Sequence, residues 1–177
     1  MAYNAGSQSG NLVLLSKQTA SASSSIDFTS LISSAYDYFK IEFYNMTFSA
    51  GNNLFLRMST NNGSTYSTTT YSTTQLFGNS GGQTTRYVTT DAGHGLTLAW
   101  TTNANVTGCG SVIMYNLNSG TLYKQFITQC SYSVGADQGY LFSTGMWSTG
   151  TAANAVRIIP DAGTITTGTF KLYGVQN

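Results

Sequence analysis

The chain has 177 residues, 41% of them hydrophobic and 13% aromatic, so it can bury a core, and this excludes intrinsic disorder. This length is typical of a single domain. Seven Lys and Arg and six Asp and Glu give a net charge of +1, and the basic residues are scattered singly. No basic stripe could neutralise several phosphates, so we expect no nucleic-acid partner.

The surface is predicted to be polar but nearly uncharged. Only 7% of the residues are charged, and Ser, Thr, Asn and Gly take the place of charged side chains. Few charges mean little repulsion between neighbouring copies, whereas a free monomer usually carries more charge for solubility. The composition therefore favours a component of a larger assembly.

Residues 1–10 have the sequence MAYNAGSQSG, without the basic and apolar regions of a secretory signal. No stretch of the chain approaches the ~20 apolar residues of a membrane span. We therefore expect folding in the cytoplasm and no membrane partner. Residues 1–10 are predicted to form an extended arm, and residues 11–177 a single β-sandwich domain.

Short runs rich in Tyr, Phe, Ile, Val and Thr are separated by clusters of Gly, Asn or Ser, and no segment shows the apolar spacing of a helix. The predicted fold class is all-β, an antiparallel, jelly-roll-like β-sandwich of about ten strands with very little helix and no internal repeat. The candidate strands are Leu12–Thr19, Ser23–Phe28, Tyr38–Phe48, Leu54–Ser59, Arg86–Thr90, Leu96–Thr101, Val106–Tyr115, Leu122–Tyr132, Tyr140–Met146, Ala155–Ile159 and Thr169–Val175.

Three connections have a recognisable composition. Ser30–Ser34 could form one helical turn between strands. The turn-rich segments NNGSTYS at 61–67 and GNSGG at 78–82 enclose a Thr-rich stretch without an apolar pattern, predicted to be an extended surface loop. Pro160, the only proline, precedes Asp161 and Gly163 and predicts the turn of the last hairpin.

The two cysteines fall on neighbouring candidate strands. A hairpin with Ser119-Gly120 as a two-residue turn would place Cys109 opposite Cys130 and Ile113 opposite Phe126. A cross-strand disulfide of this kind is often strained, and cytoplasmic proteins are normally reduced. We therefore expect two packed, free thiols.

The inventory of catalytic side chains is small. His94 is the only histidine, and the six carboxylates are Asp27, Asp37, Glu42, Asp91, Asp137 and Asp161. GNSGG around Ser80 resembles the nucleophile loop of trypsin-like proteases, but there the histidine precedes the serine, and Asn79 stands where the motif has an acidic residue. Ser80 is interpreted as part of a polar turn, and no catalytic residue is predicted.

Other candidate sites are also weakly supported. His94 is interpreted as a turn histidine bonded to local backbone, with a pH-sensitive contact as the alternative. Asp91 and Asp137 could be calcium ligands, but no EF-hand spacing occurs. GCGS at 108–111 lies within a strand pattern, so its glycines predict a bulge or a close backbone approach rather than a phosphate loop. No metal or cofactor is expected.

Several aromatic residues lie among Asn and Thr, a composition found on sugar-binding surfaces. The simpler interpretation is packing in the core and at interfaces, which we favour. The residues concerned are Tyr66, Tyr71, Trp100, Tyr132, Tyr140 and Trp147.

Three segments of the chain are distinctive in combination: LVLLSKQTASASSSIDFTSLISSAYDYFKIEFYNM at 12–46, LFLRMSTNNGSTYS at 54–67 and TGTFKLYGV at 167–175. Together they resemble a module of phage and prophage virion proteins, found in tail-fibre-like chains and small capsid decoration proteins. Related modules carry an acidic residue and glycines where this chain has Asn61, Asn62 and Gly63, and a basic tail where it has Gln176 and Asn177. The resemblance implies a β-sandwich virion protein without catalytic residues.

The expected function is that of a capsid decoration (cement) protein in the virion, which binds the major capsid protein and itself as a homodimer or homotrimer. The absence of heptads and of a shaft favours this over a whole tail fibre. The alternative is a tail-fibre or receptor-binding tip protein that contacts host-surface glycan through residues 61–82 and exposed aromatics. A small hydrolase centred on Ser80 and His94 is a third, weaker alternative.

Overall fold

The computed structural model describes residues 11–50, 52–100, 107–134 and 137–176, with the backbone alone at residues 52, 88–91, 97–100, 134 and 137. These ranges contain twelve strands and no helix. The strands are β1 (Asn11–Ser23), β2 (Ile26–Thr29), β3 (Tyr38–Phe48), β4 (Asn52–Ser59), β5 (Tyr71–Asn79), β6 (Gly82–Asp91), β7 (His94–Trp100), β8 (Gly108–Tyr115), β9 (Lys124–Val134), β10 (Asp137–Trp147), β11 (Ala155–Pro160) and β12 (Ile165–Gln176).

The strands form two antiparallel sheets, which confirms the predicted all-β, sandwich-like fold. The larger sheet has eight strands in the order β1-β12-β3-β8-β9-β10-β5-β6, and the smaller has four in the order β2-β11-β4-β7. Contacts of β7 with β5, β9 and β10 join the two sheets. Strands β1 and β6 therefore form the two edges of the larger sheet.

The core lies between the inner faces of the two sheets. Alternation along β3 places Phe39, Ile41 and Phe43 in this core and turns Lys40 and Glu42 outward, as the sequence pattern predicts. From the smaller sheet, apolar residues of β2, β4, β7 and β11 complete it. Those with essentially no exposure are Phe28, Leu54, Leu56, Met58, Leu96, Ala155, Val156 and Ile158.

Each of the eleven predicted strands overlaps an observed strand, although the predicted ends Thr101 and Val106, like the predicted arm at residues 1–10, lie outside the described residues. The predicted Thr-rich loop is wrong. Residues 71–79 form β5, which pairs with β10 and β6. Tyr71, Thr73 and Gln75 are buried on its inner face. Buried and more exposed side chains therefore alternate along this part of β5, but two of the three buried ones are polar. Because the prediction relied on apolar residues, it missed a strand whose inner face is partly polar.

Two connections also differ from prediction. Residues 30–37 contain a turn at Ser34–Ala35 and no helical turn. Pro160 does precede a turn, but β11 and β12 belong to different sheets, so this turn crosses the sandwich and does not close a hairpin. The Asp161 carboxylate accepts hydrogen bonds from the backbone and side chain of Asn53 and anchors the turn.

The predicted register of the β8–β9 hairpin is wrong by one residue. The connection runs over residues 116–123, and Ile113 pairs with Ile127. Asn116 adopts a left-handed conformation with φ of 62°, and Leu117 packs into the core, which a two-residue turn would not allow. Cys109 consequently pairs with Ser131, and Cys130 pairs with Gly110.

A one-residue slip moves every side chain of a strand to the other face. Cys109 is therefore exposed on the outer face, so the prediction of a packed thiol is wrong for this residue, whereas Cys130 is buried as predicted. Both thiols are free. The close approach predicted at GCGS is confirmed. A Cβ on Gly110 would lie 2.7 Å from the Phe43 ring.

Candidate functional site

The structure does not bring Ser80 and His94 together. Ser80 lies exposed at the tip of the β5–β6 hairpin, beyond the pair formed by Asn79 and Gly82. His94 is the first residue of β7 and is completely buried, so its interpretation as a turn histidine is wrong. Its Nε2 lies 2.9 Å from the Thr128 hydroxyl, in the interior of the sandwich.

His94 belongs to a group of buried polar residues between β7 and the larger sheet, which we call the inner polar cluster. It consists of Thr73, Gln75, His94, Thr128 and Ser143. The Nδ1 atom of His94 lies 3.4 Å from the Thr73 hydroxyl. Within the described residues, Gln75 Oε1 and Ser143 Oγ lack hydrogen-bond partners.

Burial lowers the pKa of His94 to about 3. The ring packs against Phe126 with centroids 5.0 Å apart, and a Cβ on Gly145 would approach Nδ1 to 2.6 Å. The surroundings therefore favour the neutral imidazole strongly. A surface contact that titrates near neutral pH, the alternative derived from the sequence, does not fit this position.

Three of the six aromatic residues considered for sugar binding are part of the core. Tyr71, Tyr132 and Trp147 are buried, and the rings of Tyr71 and Trp147 stack at 6.0 Å. Tyr66 packs under the Arg157 guanidinium, whose Cζ lies 4.1 Å from the ring centroid. The side chain of Trp100 lies outside the described residues. Tyr140 alone of this group lies on the outer face of the larger sheet.

The candidate metal ligands gain no support from the fold. The side chains of Asp91 and Asp137 lie outside the described residues. No group of three His, Cys, Asp or Glu side chains that could hold a metal ion occurs in the part of the chain that the structure describes.

The outer face of the larger sheet carries a groove of about 540 Å³, which we call the outer groove. One wall is formed by β3 and the other by β10, and the floor by β8 and β9. The side chains that face outward in it are Lys40, Glu42, Tyr44, Cys109, Ser111, Gln129, Ser131, Tyr140 and Phe142.

The pairing of the strands explains the shape of the outer groove. One row of paired residues runs from Glu42 through Ser111 and Gln129 to Phe142. The next row runs through Cys109, Ser131 and Tyr140. On the β3 side of Cys109 lies Tyr44, in a stretch where the register of β3 with β8 is irregular. Small or polar residues occupy the middle of both rows, and larger side chains flank them.

At one end of the outer groove, the next outward pair of residues on β8 and β9 is Ile113 and Ile127. At the other end, a second depression of about 230 Å³ shares Cys109 and Ser131 with it and continues towards Asn45 and Gln138. The outer groove is therefore elongated along the strands. The small residues Cys109 and Ser131 line both the groove and the second depression.

The charges in the outer groove nearly balance. Lys40 Nζ donates a hydrogen bond of 2.8 Å to Glu42 Oε1, and this bond holds the pKa of Glu42 below its ordinary value. Lys171, from β12, lies 5.3 Å from the centroid of the Tyr44 ring. The β3 wall therefore presents one ion pair and one aromatic ring fixed by a cation.

The two cysteines should differ sharply in reactivity. Burial raises the pKa of Cys130 to about 12, whereas Cys109 is exposed in the outer groove. We expect iodoacetamide to label one thiol of the native chain, at Cys109, and both thiols after denaturation. Peptide mass spectrometry gives the sites. Labelling of Cys130 in the native chain, or a disulfide that survives non-reducing digestion, would contradict this arrangement.

The fold defines an all-β, sandwich-like protein with a long groove on one outer face. No protein-family model matches the chain, and neither the curated proteins nor the solved structures contain a match. Among the described residues there is no helix with the length and apolar character to cross a membrane.

Proposed function

We propose that this chain is a structural protein of a bacteriophage virion, a decoration protein that binds the outer surface of the capsid. The proposal rests on the sequence resemblance and on one structural observation, the apolar edge of the larger sheet. Its partners would be the major capsid protein and further copies of this chain, as a homodimer or homotrimer, and its location would be the virion.

The edge strand β1 carries unusual side chains for a position at the end of a sheet. Leu12 and Leu14 are each 51% exposed, and Val13 between them is 36% exposed. Natural proteins usually protect long edge strands with charges, prolines or bulges, because an apolar edge invites pairing with another chain. Here β1 has 13 residues, and its exposed apolar part ends before a register irregularity near Leu15 and the exposed Lys17.

Such an edge supports assembly by strand addition or by apolar contact. The low charge of the chain supports the same function, since many copies can pack closely without strong repulsion. Strand β6 forms the opposite edge of the larger sheet and carries Tyr87, which is 67% exposed. A substitution at Tyr87 can therefore serve as a control for substitutions in β1.

A binding assay with capsids that lack the chain tests the proposal. We expect the Leu12→Lys/Leu14→Lys variant to bind at least about tenfold more weakly than the unchanged chain, because two apolar contacts are replaced by charges. Tyr87→Lys, at the other edge, should bind normally. Equal binding of both variants would contradict the proposal that the apolar edge strand β1 contacts the capsid.

The number of copies in the virion separates this proposal from its alternative. A decoration protein should occur in many copies on the icosahedral shell, which quantitative proteomics and cryo-electron microscopy of the particle both measure. A handful of copies with density at the tail would instead support a tail-fibre or receptor-binding tip protein. The outer groove is the observation that favours this second candidate.

A further inference from the structure

We infer that the outer groove is a binding site for an uncharged oligosaccharide. The inference does not depend on the decoration proposal, since a saccharide site could serve a protein of the shell or of the tail. It rests on the chemistry of the walls and floor and on the elongated shape of the groove.

The walls provide flat apolar surfaces of the kind that sugar rings contact. Tyr44 lies on one side, and Tyr140 and Phe142 lie on the other. Phe142 is 49% exposed, and its ring lies 6.1 Å from that of Tyr140. The Tyr140 hydroxyl donates a 3.1 Å hydrogen bond to Gln83 Oε1, which positions the ring before any ligand binds. The C–H faces of pyranose rings pack against such aromatic planes.

The floor provides hydrogen-bonding groups that match sugar hydroxyls. Ser111 and Ser131 can donate and accept, and the Gln129 amide can do both at once. At the wall, Glu42 is held ionised by Lys40 and can accept from a pair of hydroxyls. These polar groups lie between walls that carry aromatic rings. Ligand sites commonly have this arrangement, in which a few polar groups orient a ligand that is held by apolar and aromatic contacts.

The dimensions also fit this ligand. Three strand spacings of ~4.8 Å separate the backbones of β3 and β10, so the walls stand ~14 Å apart before their side chains narrow the gap. The volume of about 540 Å³ falls within the range of small-ligand sites. The adjoining depression extends the groove along the strands, which favours an oligomer over a single sugar.

The charges argue against a strongly acidic ligand. Lys40 is paired with Glu42, and Lys171 is directed to the Tyr44 ring. An anionic chain would bring its charges close to Glu42 without a cluster of free cations to compensate. An uncharged saccharide meets no such penalty.

A glycan array probed with the full-length chain, containing neutral and acidic oligosaccharides, tests the inference. We expect signals on neutral glycans, weakened about tenfold or more in Tyr140→Ala because a stacking surface is lost. Tyr87→Ala removes an exposed tyrosine of the same sheet, outside the groove, and should bind like the unchanged chain. Circular dichroism should show that both variants are folded.

Cys109 supplies a second readout that does not depend on a substitution. A neutral glycan identified on the array should slow the alkylation of Cys109 when present at saturating concentration, and prior alkylation should abolish the array signal. An array without signal overturns the inference. Binding that persists after alkylation and in Tyr140→Ala also overturns it, as does binding confined to acidic glycans and lost at high salt.

Discussion

Replacing Lys124 with methionine is expected to lower the free energy of unfolding by about 3 kcal/mol, because three backbone carbonyl oxygens lose a charged donor. Lys124 lies on the inner face of β9 with 0% exposure. Its ammonium donates to the carbonyl oxygens of Ser119 at 2.6 Å, Leu122 at 2.9 Å and Thr149 at 3.3 Å. It thereby joins the β8–β9 connection to the segment that follows β10.

Methionine resembles the lysine stem in length and flexibility, so this substitution removes the donor with little change in packing. Chemical denaturation monitored by tryptophan fluorescence measures the difference. Lys17→Met is the matched control, since Lys17 is exposed on β1, and its effect should stay within about 0.5 kcal/mol. A loss below about 1 kcal/mol for Lys124→Met would mean that water replaces the ammonium at these carbonyls.

Acidification is expected to destabilise the protein through His94. Its pKa is about 3 in the folded chain and near the ordinary 6.5 in the unfolded chain. Between these values the unfolded state binds a proton that the folded state does not, so stability falls as the pH falls through this window. The loss approaches about 1.4 kcal/mol per pH unit, or about 3 kcal/mol between pH 6.5 and pH 4.

The His94→Gln variant isolates this contribution. Glutamine can bond to the hydroxyls of Thr73 and Thr128 but does not titrate, whereas the carboxylates of the chain titrate in both proteins. The stability advantage of the unchanged chain over the variant should therefore shrink by about 3 kcal/mol from pH 6.5 to pH 4. Parallel stability curves over this range would show that His94 is accessible to protons in the folded state.

Both residues escaped prediction for the same physical reason. Lys124 and His94 are polar residues that face the interior of the sandwich. A prediction that assumes polar side chains of a strand point to solvent places such residues at the surface or in a turn. The Thr-rich strand β5 was missed likewise, since Thr73 and Gln75 face the core. His94 can be buried because the strands beside it supply the hydroxyls of Thr73 and Thr128, and Lys124 because two connections supply carbonyl oxygens. No single segment of the sequence reveals such partners.

The outer groove could be predicted only in part. Tyr140 was among the aromatics considered for sugar binding, but its partners in the groove come from four strands. Gln129 and Ser111 become neighbours through the register of β8 and β9, which the sequence led us to misplace by one residue. Such an error exchanges the two faces of a strand, so a groove built on one face cannot be derived without the register.

The sequence by itself determined the all-β class and eleven of the strands, because alternation of side chains and turn residues are local properties. It also indicated free thiols, low charge and the resemblance to virion modules. Only the tertiary structure decided the order of the strands, the register of β8 against β9 and the faces on which Cys109 and Cys130 lie. These features depend on which strands become neighbours, and that is settled by packing between segments far apart in the chain.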